Sequence, residues 1–75
     1  MGRQKTKYTK TDACIYILYC ILNNEFNTLE SLTERLDVSV RQLKRYISEI
    51  NLTMDDFNLQ VEVIYNKNIE RFIIK

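Results

Sequence analysis

Arg41, Gln42, Lys44 and Arg45 stand close together in the chain, preceded by Ser39 and Val40. The chemistry available to that set is recognition rather than catalysis. A guanidinium presents a rigid fork of donors, a carboxamide offers a donor and an acceptor side by side, and an ammonium supplies a compact charge. No nucleophile stands at a readable spacing from a base. The chain has no histidine, its one glycine is Gly2, and Asp55 and Asp56 read as surface acids at a helix end. Those absences leave no ligand set for a metal and no glycine-rich phosphate loop, so we expect a protein that is not an enzyme and uses no cofactor.

The elements that must position these residues are legible in the surrounding pattern. Thr9 followed by Asp12 forms a capping box, which starts a first helix over about residues 10–23. Its apolar residues, Ile15, Ile17, Leu18, Ile21, Leu22, Tyr16 and Tyr19, cover more than one face, as in a helix that lies between other elements or in a protein contact. Asn27 or Thr28 caps a second helix, whose Leu29, Leu32 and Leu36 recur at three and four. Asp37 takes the sharp turn that follows, since aspartate tolerates a left-handed backbone. Ser39 caps the third helix and Gln42 completes a capping box there. Leu43, Ile47, Ile50, Met54 and Phe57 form one stripe, which predicts a helix over about 40–57, with Asn51 and Thr53 as a candidate break and Asn58 as its left-handed end. Alternation at 61–65 and a β-branched, aromatic run at 69–74 predict two strands joined by a tight turn at Asn66, Lys67 and Asn68.

Composition sets the limits. Seventy-five residues, 45% hydrophobic and 28% charged, make one small folded domain with no linker or repeat, preceded by a basic arm over residues 1–9. The net charge is only +1, but it is unevenly spread, with Arg3, Lys5, Lys7 and Lys10 at the start and Glu25, Glu30, Glu34 and Asp37 ahead of the basic helix. Cys14 and Cys20 lie roughly 120° apart on a helix and cannot pair, so they read as small core residues of a reduced interior. The apolar run at 13–22 is half the ~20 residues that a bilayer span needs, and no targeting segment is visible, so a cytoplasmic location is expected.

A steep crossing about Asp37 turns Leu29, Leu32, Leu36, Val38, Leu43 and Ile47 inward, and that arrangement is a helix-turn-helix. Ser39, Val40, Arg41, Gln42, Lys44, Arg45 and Ser48 are then left outside, at the start of the helix that enters the major groove in such motifs. Arginine holds both acceptors of guanine, glutamine does the same for adenine, and a valine touches a thymine methyl. The expected base contacts are therefore Val40, Arg41, Gln42 and Arg45, and the expected phosphate contacts are Thr28, Ser39, Lys44 and, on the wing, Lys67. Arg3, Lys5 and Lys7 would add a sequence-independent attraction.

Residues 11–75 resemble the winged helix-turn-helix domain of DeoR-type and biotin-repressor-type bacterial transcription regulators. The stretch "TLESLTERLDVSVRQLKRYISEIN" is similar to their core pattern of a leucine-bearing short helix, a turn ending in Val-Ser and an arginine-rich helix. "FNLQVEV" followed by "NKNIERFIIK" is similar to their exit into a wing. Asp37, Thr33, Asn58 and the "NKN" turn depart from the glycine or alanine favoured at those positions. The resemblance implies a mainly α, three-helix winged fold with a small β-hairpin, a recognition helix at 39–51, a wing at 61–75 and double-stranded DNA as partner. A winged helix also serves as a protein-contact module, and Tyr16 and Tyr19 on the first helix are the residues expected to meet a partner or a second copy.

Overall fold

Among the described residues, every helix starts on a hydroxyl. In a computed structural model, which describes residues 8–75, the order is α1 (Lys10–Leu22), α2 (Leu29–Leu36), α3 (Val40–Asp56), β1 (Val63–Asn66) and β2 (Arg71–Ile74). Thr9, Thr28 and Ser39 hold extended backbone angles and accept, each at 3.1 Å, from the amides of Asp12, Ser31 and Gln42. Thr28, not Asn27, is thus the cap of α2. The box at Thr9 closes through the Asp12 carboxylate, whereas at Ser39 only the hydroxyl half is made, which leaves the Gln42 side chain uncommitted.

The helix ends are equally uniform. Asn24, Asp37 and Asn58 have φ of 52°, 57° and 59°. After each, the next amide reaches back five residues, from Glu25 to Cys20 O at 2.9 Å, Val38 to Thr33 O at 3.0 Å and Leu59 to Met54 O at 3.0 Å. This is the closure that glycine normally serves, here placed on the short polar residues that tolerate it. Phe26, Gln60 and Glu70 are also left-handed, at 56°, 60° and 56°, without that tolerance, at a cost of roughly 1 kcal/mol each. Gln60 is exposed, so Gln60→Gly should raise unfolding stability by about 0.5–1 kcal/mol, seen as a higher urea midpoint at constant slope.

The three helices and the hairpin enclose one core. It consists of Ala13, Ile17, Cys20 and Ile21 of α1, Leu32 and Leu36 of α2, Leu43, Tyr46, Ile47 and Ile50 of α3, and Val63 and Phe72 of the hairpin, with Leu29, Val38 and Met54 partly buried against it. Phe57, expected as the last rung of the α3 stripe, is 71% exposed. The helix ends at Asp56, and the reversal at Asn58 carries the chain away before Phe57 can reach the interior. Both cysteines are free thiols. Burial raises the Cys14 thiol above its ordinary pKa despite the opposing charge of Lys10, and its sulfur lies 3.8 Å from Tyr46 O.

The hairpin is shorter than the alternation predicts. Val63 pairs with Ile74, Tyr65 with Phe72 and Asn66 with Arg71, in an antiparallel ladder, while Val61 and Ile69 stay exposed outside it. At the tip, Asn66 Oδ1 accepts from the amides of Asn68 (2.9 Å) and Ile69 (3.4 Å). The asparagine therefore shapes the turn with its side chain, and the left-handed residue is Glu70. Two further amides fasten the ladder to the helices. Asn51 of α3 exchanges bonds with Val63, Nδ2 to O at 3.0 Å and N to Oδ1 at 2.7 Å. Asn27, 1% exposed, donates to Phe72 O at 2.9 Å, and its own carbonyl accepts from Phe72 N at 2.9 Å. Asn51 is no helix break; α3 runs through it unbroken. Three helices and a two-stranded hairpin in this order are consistent with a winged helix-turn-helix, and no helix among the described residues is long and apolar enough to cross a membrane.

Candidate nucleic-acid interface

The left-handed Asp37 delivers the chain from α2 into α3 across three residues, so the first turns of α3 emerge beside the end of α2. The inward stripe of α3, Leu43, Tyr46, Ile47 and Ile50, is buried between α1, α2 and the hairpin. What remains outside follows from the helical period. Arg41, Lys44, Arg45 and Ser48 are exposed and share one shallow depression with Glu49. The structure thus brings Arg41, Lys44 and Arg45 together on one face, and leaves Val40 (42% exposed) and the half-buried Gln42 beside them.

The electrostatics of this face depend on what the nearby acids do. Among the described residues the side-chain ion pair is Lys10 Nζ to Glu49 Oε1, at 3.5 Å. Glu49, the acid on the basic face, is therefore engaged by α1, and no carboxylate pairs with Arg41, Lys44 or Arg45. Such an exposed pair contributes little to stability. Its effect is on the local field, since it partly offsets the one negative charge that borders the three cations.

A second cleft lies between the start of α2, the start of α3 and the wing. Thr28, Glu30, Val40, Tyr65, Glu70 and Arg71 are among the residues that line it. Arg71, which the sequence pattern did not single out, faces this cleft, with Nη1 3.4 Å from Asn24 Oδ1. Its signal was only an alternate position on a short strand. The hydroxyls of Thr28 and Ser39 serve as helix caps, yet each keeps its own proton to donate. Glu30 and Glu70 border the cleft at Thr28, so a phosphate approaching there meets two acids, whereas the acid beside Lys44 is Glu49, which is already engaged by Lys10. Lys67 is exposed at the tip of the hairpin. Arg3, Lys5 and Lys7 lie outside the described residues.

Tyr16 and Tyr19 belong to a different surface. Tyr16 is half-buried and accepts a bond from Arg35 Nη1 at 3.2 Å; burial, together with a bond to Cys20, holds its phenol above the ordinary tyrosine range, with Arg35 opposing. Tyr19 is 57% exposed, along with Ile15 and Leu22. Arg35 is also stacked on Phe26, 3.6 Å from the ring centre, so this guanidinium is held in place, unlike those of α3.

Comparison with known proteins agrees with the geometry. The family model of the Mga helix-turn-helix domain matches residues 5–71, a span that takes in all three helices and most of the hairpin. No curated protein matches the chain, and no solved structure does.

Proposed function

Since the chain belongs to the Mga helix-turn-helix domain family, a DNA-binding domain of a transcription regulator, we propose that it reads double-stranded DNA sequence by laying the first turns of α3 in the major groove. Arg41, Gln42 and Arg45 address base edges, with Val40 against a thymine methyl. Lys44, Ser39 and, less strongly, Thr28 meet phosphates. The hairpin acts as a wing of the DeoR and biotin-repressor type, with Lys67 reaching the backbone or minor groove, and the basic arm of Arg3, Lys5 and Lys7 adds attraction without sequence preference. The domain acts by binding alone, in the cytoplasm on the nucleoid, and needs no cofactor. The observation that carries this reading is the trio of exposed cations on the first turns of α3, with no carboxylate paired to them.

Fluorescence anisotropy with duplexes selected from a random pool tests it. Affinity should fall with salt at a log–log slope of about −0.9 per neutralised phosphate, and Lys44→Ala should reduce that slope by about one while weakening all duplexes alike. No duplex binding at low ionic strength would overturn the proposal. A second reading, a protein-contact module, is favoured by one observation, the outward apolar residues of α1. The two are compatible, because the basic face of α3 and that face of α1 are formed by different residues.

A further inference from the structure

Helix α1 is apolar on two opposite sides. Ala13, Ile17 and Cys20 are buried in the core, while Ile15, Tyr19 and Leu22 are 63%, 57% and 73% exposed. At 100° per residue these three lie roughly 140–160° from Ile17. They recur along α1 at steps of four and three. That spacing is the seam that knobs-into-holes packing requires, and a helix apolar on both sides is one that another element covers. Among the described residues nothing does.

Beside the ridge runs a groove of about 720 Å³, lined by Asp12, Ile15, Tyr16, Tyr19, Arg35 and Leu36 among others. A ridge and a groove adjacent on one surface meet the condition for a two-fold contact, in which each copy's ridge fills the other's groove. Charge selects the direction. Asp12 stands in the first turn of α1, and Arg35 is fixed further along by the Tyr16 hydroxyl (3.2 Å) and the Phe26 ring (3.6 Å). Parallel helices would set Asp12 against Asp12 and Arg35 against Arg35. Antiparallel helices bring each Asp12 towards the other copy's Arg35, which has donors to spare beyond the one given to Tyr16. We therefore propose that the outward face of α1 is covered by a second copy of this chain, packed antiparallel across a two-fold axis that passes close to Tyr19, with Ile15 against the second copy's Leu22. Groove and ridge would bury on the order of 500 Å² per copy, which is the small end for a specific interface and implies a reversible dimer. This inference does not rest on the DNA-reading assignment.

Sedimentation equilibrium of the full chain from low micromolar to millimolar concentration tests it. The wild-type chain should pass from monomer to dimer over this range. Leu22→Glu, at a side chain that makes no core contact, should raise the dissociation constant about tenfold or more, with an unchanged far-ultraviolet circular dichroism spectrum. Ile69→Glu, at a comparably exposed apolar residue of the hairpin, should leave it unchanged. Asp12→Asn keeps the oxygen that caps Thr9 and removes the charge, and should weaken the dimer several-fold. Tyr19→Cys should cross-link under mild oxidation, because residues beside a two-fold axis come within disulfide reach. A wild-type chain monomeric throughout, or a dimer that Leu22→Glu and Asp12→Asn both leave intact, would overturn the proposal. Leu22→Glu retains the basic face of α3, so its binding to a single half-site should persist, and a failure of self-association is thereby read separately from a failure of DNA binding.

Discussion

Arg41→Ala and Arg45→Ala should each cost about 1–3 kcal/mol of affinity on the preferred duplex, and should flatten its advantage over scrambled sequences. The size follows from what an arginine loses in the groove, two parallel bonds to one guanine edge and the burial of its charge against acceptors. The selectivity follows from position. Both residues lie in the first two turns of α3, where such helices reach base edges rather than only the backbone. Neither guanidinium is paired with a carboxylate, so its removal should change folding stability by no more than about 0.5 kcal/mol. A loss of binding can therefore be assigned to the interface and not to unfolding. Lys44 supplies the contrast, because it shares the same depression but carries a charge without a fork. Anisotropy titrations of the three variants on a selected and a scrambled duplex separate the roles. If Arg41→Ala and Arg45→Ala lose the same factor on both duplexes as Lys44→Ala does, all three are phosphate contacts, and base reading has to be sought at Gln42 or on the wing.

The grouping of those cations was legible in the chain because it depends only on helical period and on one turn. Asp37 and Asn58 adopt the left-handed angles expected of them, and the hydroxyls of Thr9 and Ser39 start their helices. These are local signals, each settled within four or five residues. What the pattern did not reveal is whatever joins distant segments. The Lys10–Glu49 pair, the Arg71 side chain in the wing cleft and the stacking of Arg35 on Phe26 exist only once the helices have packed. Tyr46 is buried although it lies off the predicted stripe, because α3 is flanked by both other helices and the hairpin and so buries a wider face than one stripe. Helix α1 shows the same division. Its excess of apolar residues was evident, but not that Tyr16 turns sideways to Arg35 while Ile15, Tyr19 and Leu22 point outward.

Asn51 is the most consequential of these long-range links, and Asn51→Leu should destabilise the domain by about 2–3 kcal/mol. Its carboxamide pairs with the backbone of Val63 as a neighbouring strand would, donating to the carbonyl at 3.0 Å and accepting from the amide at 2.7 Å. Leucine has nearly the same volume and neither function, so both backbone groups lose their partner at a half-buried site while packing is retained. Asn27→Leu should cost less, about 1 kcal/mol. Asn27 Oδ1 is buried with no bond, so the substitution removes an unpaired acceptor along with the donor to Phe72 O. The main-chain bond from Phe72 N to Asn27 O survives it. Asn51→Asp is the discriminating variant, because it keeps the acceptor for Val63 N and places a carboxylate against Val63 O, where the donor had been. It should be at least as damaging as leucine if the donor matters. Urea unfolding gives the magnitudes, and amide exchange gives the location. Loosening of the clamp should speed exchange at Phe72, in the paired hairpin, more than at Leu43, in the helical core. Equal acceleration at both would mean that Asn51 supports the whole fold, whereas no change at either would show that the Asn27 bonds and the packing of Val63 and Phe72 hold the hairpin without it. The wing can present Lys67 and Arg71 at a fixed distance from α3 only if this amide holds, so the loss of position at the clamp should appear again as weaker binding to duplexes long enough to reach the wing.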